Sequence, residues 1–303
     1  MAFAAFGSNV KVEAKPTKSG KVVIALLAPG LAYLGAFFLT PLIALIMVSL
    51  QVPDPAGGYA EYVTGFEIAN YGYVISEFYP HIFRSFGYAL LATIFALLIS
   101  YPLAFFIGVK ARPWPLLQKL MLTLVIAPFF ISFLLRTLAW KQIFSNESWI
   151  VTGLQQIGIL GDTQYIVGTP FMVIFGLTYN FIPFMTLPLY TSLERLDLRY
   201  LEAGSDLYAS PARVFRKVTL PLSMPGVISG TLLTFIPIAG DYINASGDFL
   251  GSPETAMMGN AIEANYLNIN DYPSASALSV LLMGAILLLV TWYVKRSGTE
   301  DLL

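Results

Sequence analysis

The sequence predicts an all-α integral membrane protein with six transmembrane helices. Hydrophobic residues make up 56% of the 303-residue chain and charged residues 12%, and the mean hydropathy is +0.70. A soluble domain has about 45–50% apolar and about 25% charged residues, so this chain is too apolar for that class. Six long runs with few or no charges provide the spans, and the basic residues orient them.

The first span is predicted at residues 22–50. The run from Val22 to Pro53 contains no charged residue. It is longer than the roughly 20 residues that cross a bilayer and longer than the apolar core of a secretory signal. We therefore expect an uncleaved helix here.

Five further spans are predicted downstream. The third, at 120–135, extends to about residue 144 if Arg136 and Lys141 snorkel at its end. Prolines in or near the spans indicate either helices bent around a pathway or the ordinary kinks that membranes tolerate. The other spans are predicted at 85–109, 163–193, 218–240 and 272–294.

The basic residues predict that both termini are cytoplasmic. With the N-terminus inside, 14 of the 17 lysines and arginines lie in cytoplasmic segments, while 11 of the 18 acidic residues face outward. Cytoplasmic tails at 1–21 and 295–303 are then expected to flank a transmembrane domain at 22–294.

The 194–221 loop concentrates charged residues between two apolar runs, so it belongs in water. Its first half is predicted to form an amphipathic helix, and a second short helix is expected from Pro211 towards Val218, with Ser210 as its N-cap. The simplest interpretation is a structured connector. The apolar face of the first helix contains Tyr200, Ala203, Gly204 and Leu207, and the polar face Arg199, Glu202 and Asp206.

Glu202 and Asp206 lie one turn apart near Arg199. This spacing predicts solvated ion pairs that contribute little to the stability of the loop.

Several functional classes are disfavoured by the sequence. The chain has no cysteine, so neither disulfides nor thiolate metal sites are possible, and its net charge of -1 argues against nucleic acid. No acid or base lies at the centre of a span, and no GxxxxGK[ST] loop is present to bind ATP. The only histidine, His81, is expected to be solvated in an external loop at 51–84. We expect no catalytic residue, metal or cofactor.

Glu202-Ala203-Gly204, with Leu220-Pro221 downstream, resembles the EAA loop by which ABC importer permeases dock on their ATPase. Two residues depart from that pattern: Gly204 replaces the second alanine, and Tyr208 replaces the usual glycine. Tyrosine disfavours a left-handed backbone, so the turn is where we expect a difference. The resemblance implies ATPase coupling by Glu202, Ala203, Gly204, Asp206, Leu207, Tyr208, Phe215, Leu220 and Pro221.

Five other stretches, which cover about half the chain, resemble the first permease subunit of spermidine/putrescine ABC importers. The resemblance implies a six-helix type I permease that works with a homologous second permease, two ATPase subunits that bind ATP, and an external solute-binding protein, in a bacterial inner membrane. The stretches are YPLAFFI (101–107), APFFISFLLRTLAWKQIF (127–144), YNFIPFMTLPLY (179–190), TLPLSMPGVISGTLLTFIPIAGDYI (219–243) and the segment 258–279.

A polyamine is a multiply protonated cation, so a low-dielectric pathway for it needs anionic or aromatic partners. Asp241 and Tyr242, at the outer end of the fifth span, are the expected contacts, with Tyr179, Asn180 and Phe184 farther in. The plain alternative for Asp241 is an acid that ends a helix at the interface. At the level of the whole chain, the alternatives are a stand-alone secondary carrier or channel, or a permease for another small solute.

Overall fold

The computed structural model describes residues 20–161 and 164–296, which are mostly helical. The chain divides into two compact units, one that ends at Met47 and one that begins at Val48. The α-helices are α1 (Gly20–Leu34), α2 (Thr40–Ser49), α3 (Ala69–Phe105), α4 (Pro115–Ile126), α5 (Phe133–Ile143), α6 (Trp149–Gln156), α7 (Pro170–Glu194), α8 (Arg199–Asp206), α9 (Pro211–Val214), α10 (Leu220–Leu222), α11 (Met224–Ala239), α12 (Met258–Glu263) and α13 (Tyr272–Arg296). Tighter or wider helical turns lie at Gly35–Leu39, Phe106–Lys110, Ala127–Phe130, Phe215–Thr219 and Ala264–Ile269.

Most of the two predicted tails, residues 1–19 and 297–303, lies outside the described residues. Helix α1 begins at Gly20 and α13 ends at Arg296, so each helix extends two residues into a predicted tail.

The first helix combines α1, the π-helical turn at Gly35–Leu39 and α2. Between Val23 and Ser49 it is long and apolar enough to cross a membrane, in agreement with the span predicted at 22–50. Large side chains such as Leu26 and Phe37 are exposed along it. A helix that is apolar on all sides requires an apolar surrounding, which lipid or another protein provides.

Helix α3 begins earlier than the sequence predicted. It starts at Ala69 instead of residue 85 and is continuous with the π-helical turn that ends at Lys110. The prediction of an external loop at 51–84 is therefore wrong for residues 69–84, which are helical. His81 is a half-buried residue of this helix. The uncharged run marked only the apolar part of the helix, whereas backbone hydrogen bonding also continues through polar residues.

Two of the predicted spans are sharply bent. The segment Pro115–Phe130 and α5 meet at an angle of 93°, and the segment Pro211–Leu222 and α11 meet at 67°. The first break lies at Ile131 and Ser132, whose backbones leave the helical conformation. Within the described part of the chain, four helices are long and apolar enough to cross a membrane, or six when each bent pair is one span. The predicted number of six corresponds to the second count.

Helices α7 and α11 cross closely because α11 carries two glycines on the face towards α7. A Cβ atom on Gly226 would lie 2.8 Å from the Pro188 carbonyl oxygen, and one on Gly230 would lie 3.1 Å from the Met185 carbonyl oxygen. A Gly-xxx-Gly spacing lets two helix backbones approach each other in this way. Alanines of α3, including Ala89, pack against the same pair. The buried residues of α7 include the polar residues Thr178, Asn180 and Thr186.

Among the described residues, two short strands are the only non-helical regular structure. Strands β1 (Val52–Pro53) and β2 (Tyr62–Val63) pair antiparallel, with Val52 opposite Val63. The Tyr59 hydroxyl donates to the Ile269 carbonyl at 2.6 Å, which fixes the hairpin to the segment before α13. The sequence predicted only a loop here, because a two-residue strand carries no periodic signal.

Candidate functional site

The 194–221 loop is folded and fixed to the transmembrane helices. Helix α8 forms its first half, and α9 with the π-helical turn Phe215–Thr219 forms the second, as the sequence predicted. Pro211 is at the first helical position, and Ser210 occupies the N-cap position without a side-chain capping bond. Leu201 and Leu220 pack against the buried leucines at the end of α7. Movement of this loop would therefore be transmitted to α7.

The predicted apolar face of α8 faces the protein only in part, at Gly204, which lies beside Val214. Tyr200 and Leu207 are exposed, whereas Leu201 packs inward. The helix is rotated relative to the prediction because Leu201, rather than Tyr200, completes the apolar cluster under the loop. An exposed aromatic and aliphatic surface on a charged loop is typical of an interaction site.

Gly204 permits close contact between the two halves of the loop. A Cβ atom at this position would lie 2.9 Å from Val214 Cγ2. Alanine, the residue that the resemblance leads one to expect, would force Val214 to move. The first departure from the EAA pattern therefore has a steric reason within this chain.

Tyr208 ends α8 with a left-handed backbone. Its φ is 53°, and the amide nitrogens of Tyr208 and Ala209 donate to the carbonyls of Ser205 and Gly204 at 2.9 and 3.1 Å. These two bonds form the Schellman motif, in which glycine usually holds the left-handed position. The side chain of Tyr208 is 97% exposed. The turn geometry is thus retained despite the substitution, at a cost of about 1–2 kcal/mol.

The charges of the loop are arranged differently from the prediction. Arg199 Nη2 lies 2.8 Å from Asp197 Oδ2, and the hydrogen bond from Arg199 holds the pKa of the Asp197 carboxyl below its usual value. Arg199 therefore pairs with Asp197 and not with Glu202. Glu202 and Asp206 lie on the exposed surface of α8, so a partner could reach both carboxylates.

Arg112 connects the end of the second span to the start of this loop. Its Nη1 donates to the Leu196 carbonyl at 3.1 Å, its Nη2 to the Leu193 carbonyl at 3.1 Å, and its Nε to the Gly108 carbonyl at 3.1 Å. The guanidinium thus satisfies carbonyls at the C-terminus of α7, where a positive charge is also favoured by the helix dipole. Nothing in the sequence beyond the basic charge of Arg112 indicates this role.

A cavity of about 570 Å³ lies between the loop and the adjoining ends of α7 and α11. Ser192, Tyr200 and Pro225 are among the residues that line it. The cavity borders α7, the helix that carries the predicted pathway residues Tyr179, Asn180 and Phe184.

Two of the predicted pathway residues, Asp241 and Asn180, meet in one buried network. The backbone and side-chain nitrogens of Asn244 donate to the two Asp241 carboxylate oxygens at 2.8 and 3.0 Å. Asn180 Nδ2 donates to Asn244 Oδ1 at 3.0 Å and to Thr137 Oγ1 at 3.2 Å. Asn244 and Thr137 were not identified from the sequence, because neither belongs to a motif or a charged cluster.

Asp241 follows the end of α11 and is 8% exposed. Burial raises the pKa of its carboxyl to about 6, and the hydrogen bonds from Asn244 oppose that rise. In this structure the carboxylate is enclosed by its own chain, so an approaching cation would meet it only after the segment around Asn244 moves.

The other predicted pathway residues are aromatic and lie apart from this network. The ring of Tyr179 packs edge-on against Trp140 at a centroid distance of 5.1 Å, and the ring of Phe184 packs against Phe129 at 5.0 Å. Tyr242 is exposed, and its carbonyl accepts a hydrogen bond from Asn260 Nδ2 at 2.6 Å. Trp140 was missed as an individual residue, although its stretch was noted.

The sequence allowed for snorkelling of Arg136 and Lys141 at the end of the third span, whereas the structure buries Arg136, which is 9% exposed. The Nζ atom of Lys141 is exposed and donates to the Asp248 carbonyl at 2.7 Å. Arg136 is instead held in the interior by its position on α5, between aromatic residues that pack on α7.

Residues 100–297 match the family of binding-protein-dependent transport system inner membrane components. The chain belongs to this family. The matched range includes the whole 194–221 loop and the helices α7 and α11, so the permease family covers both parts of the candidate site.

Two curated relatives resemble nearly the whole permease chain. The spermidine/putrescine transport system permease protein PotB of Haemophilus influenzae is 35% identical over 281 residues, which cover 92% of this chain and 94% of that protein. PotB of Escherichia coli (strain K12) is 35% identical over 271 residues, or 87% of this chain and 94% of the relative.

Solved structures of ABC importers share the fold. A bacterial ABC transporter involved in the import of the acidic polysaccharide alginate matches with a TM-score of 0.65 at 18% identity, over 92% of this chain and 96% of the other. The MetNI methionine ABC transporter matches with a TM-score of 0.55 at 20% identity, over 72% of this chain and 94% of the other. The chain therefore has the type I permease fold. Its role as a non-catalytic membrane component of an ABC importer follows from the family match and from the similarity to PotB.

Proposed function

We propose that this chain is the permease subunit of an ATP-driven polyamine importer. It would form half of the translocation path with a homologous second permease and receive spermidine or putrescine from an external solute-binding protein. The observation that carries this proposal is the 35% identity to PotB over 92% of the chain. The chain itself supplies no ATP site in this scheme, and two copies of an ABC ATPase bind and hydrolyse the nucleotide.

Coupling to that ATPase would occur through the 194–221 loop. The exposed side chains of Tyr200, Leu207 and Tyr208 offer an apolar contact surface, and the exposed Glu202 and Asp206 offer charge. The packing of Leu201 and Leu220 against α7 supports transmission of force from the loop to the spans. The remaining predicted coupling residues, Ala203, Gly204, Phe215 and Pro221, would shape the same surface.

A cationic solute would be stabilised by Asp241 and, at separate points of the path, by the aromatic rings of Tyr242, Tyr179 and Phe184. A pathway should hold its solute weakly to permit release, so one carboxylate together with these rings is sufficient. Because Asp241 is enclosed in this structure, the proposed contact belongs to a different conformation of the transport cycle. Such a change would break its bonds to Asn244.

Both termini and the 194–221 loop are proposed to be cytoplasmic, in a bacterial inner membrane. The distribution of lysine and arginine supports this orientation. It places the loop on the side where ATP is available.

Uptake of radiolabelled spermidine and putrescine, in cells with and without this gene, tests the proposed solute. We expect uptake to require the gene, and we expect an ABC ATPase to copurify with the tagged chain. A stable homo-oligomer that transports without an ATPase would instead favour the secondary carrier or channel. Gene-dependent uptake of a neutral or anionic solute in preference to polyamines would indicate an importer for another substance.

A further inference from the structure

Arg136 is a buried cation for which the described chain supplies no hydrogen-bond acceptor. The side chain is 9% exposed, and its Nε and Nη1 atoms are buried and unpaired among residues 20–161 and 164–296. The guanidinium carbon lies 5.7 Å from the centroid of the Phe133 ring. A ring face attracts a cation but does not neutralise its charge. The described residues therefore leave the positive charge uncompensated.

The position of Arg136 is fixed from both sides by contacts between α5 and α7. One turn before it, Phe133 packs edge-on against Phe181 at a centroid distance of 6.3 Å. One turn after it, Trp140 packs against Tyr179 at 5.1 Å. Residues three and four apart on a helix share a face, so Arg136 belongs to the row that faces α7.

The adjacent residue, Thr137, accepts the hydrogen bond from Asn180 that joins α5 to the buried network of Asp241. Arg136 therefore lies beside the part of the chain that contains Tyr179 and Asn180, two of the proposed pathway residues. It is the positively charged member of that region, and Asp241 is bonded to Asn244 instead of to Arg136.

A guanidinium cannot lose its proton in a protein, so this charge is permanent. In a medium of lower dielectric constant than water, a fixed positive charge repels cations strongly, and pores use arginine in this way to exclude protons and other cations. The repulsion grows with the number of charges on the solute. A polyamine or a metal cation would thus be held back while Arg136 stays beside the path.

We propose that Arg136 is an electrostatic barrier that keeps the resting permease closed to cations. The inference rests on the proposed function, because a barrier of this kind matters most for a cationic solute. During turnover, α5 would carry the guanidinium away from α7. The non-helical residues Ile131 and Ser132, at the 93° bend that precedes α5, give the helix a point about which to move.

The test is passive leak through the complete transporter, reconstituted in liposomes without ATP or polyamine. Efflux of Rb⁺ is compared with efflux of glycerol, a neutral solute. We expect Arg136→Gln to increase the Rb⁺ leak about tenfold, which corresponds to loss of one unit charge about 12 Å from the ion at an effective dielectric constant of about 20. Glycerol efflux should not change. Arg136→Lys should keep the wild-type Rb⁺ leak at acidic pH, where the lysine is protonated.

Lys141→Gln is the matched control, because it removes a positive charge from an exposed position of the same helix. It should leave the Rb⁺ leak unchanged. An unchanged leak in Arg136→Gln would overturn the proposal, and so would a parallel increase in glycerol efflux, which indicates a packing defect.

If neutral variants do not assemble, Arg136→Lys still provides a test. A buried lysine can lose its proton, so its Rb⁺ leak should rise with pH while that of the wild type does not. A leak independent of pH in Arg136→Lys would contradict the barrier in that case. These leak measurements contain no polyamine, so they do not depend on the proposed solute. If the polyamine assignment is wrong, the uptake assay shows it and the leak measurements are unaffected.

Discussion

Asp241 is the residue on which the proposed solute contact depends. Its carboxylate is buried and bonded to Asn244, and we expect it to meet the cation when that network opens. Asp241→Asn keeps the shape of the side chain and removes its charge. Spermidine uptake should therefore fall roughly tenfold or more, which corresponds to a loss of about 1.4 kcal/mol of interaction with the cation. Affinity of the external binding protein should not change. Radiolabelled uptake by membranes with matched amounts of complex measures this.

Asp248→Asn is the control for that experiment, since it removes an exposed acid from the same outer segment. Wild-type uptake in Asp241→Asn would show that Asp241 does not contact the solute and has only a structural role after the end of α11.

Tyr208 is a second residue with a specific expectation. Glycine accepts the left-handed backbone at no cost, so Tyr208→Gly should stabilise the folded loop by about 1 kcal/mol. If the exposed ring contacts the ATPase, the same change should weaken binding of the ATPase to the complex. Thermal unfolding of the isolated permease and titration with the ATPase separate the two effects. Unchanged stability would mean that the left-handed backbone is not strained.

At the residue scale, the sequence identified Asp241, Asn180 and the two departures at Gly204 and Tyr208. It did not identify Asn244, because an asparagine in a loop has no local signal that it joins two distant segments. The burial of Arg136 was missed for a similar reason. Snorkelling was allowed for on the basis of charge and position along the span, whereas packing on α7 decides its burial.

At the scale of elements, the two halves of the 194–221 loop depend on each other through Gly204. Gly204→Ala would place a methyl group 2.9 Å from Val214 Cγ2, and overpacking of this kind costs about 1–3 kcal/mol. We expect a lower melting temperature of the permease and weaker ATPase binding. The double variant Gly204→Ala with Val214→Ala should recover both, since the smaller side chain removes the clash. Failure of the double variant to recover them would place the cause elsewhere.

The elements themselves were predictable to different degrees. Uncharged runs located the apolar cores of the spans, but they could not give the start of α3 at Ala69, since its first turns contain polar residues. The close crossing at Gly226 and Gly230 could have been predicted from the Gly-xxx-Gly spacing within a span. The bend of 93° at Ile131 could not have been predicted, because a proline near a break does not specify the direction of the following helix.

At the scale of the whole molecule, the orientation in the membrane can be tested directly. The chain has no cysteine to remove, so single cysteines can be introduced and labelled from one side. We expect labelling only from the cytoplasm at Ser8, Ser205 and Ser297, and only from outside at Ser76, Thr163 and Ser252. Ser8, Thr163 and Ser297 lie outside the described residues. Labelling of Ser205 from outside would contradict the coupling role of the loop.

In the proposed mechanism, ATP hydrolysis by a partner drives polyamine uptake through the 194–221 loop. The most direct measurement is ATP-dependent spermidine uptake by the reconstituted transporter that carries Glu202→Lys, because this carboxylate is exposed on α8 and not paired with Arg199. Glu254→Lys, the same reversal of charge on the opposite side of the membrane, is the control. We expect Glu202→Lys to abolish uptake and stimulated ATP hydrolysis in a permease that is inserted normally, and Glu254→Lys to retain both. Wild-type uptake in Glu202→Lys would contradict the proposed mechanism.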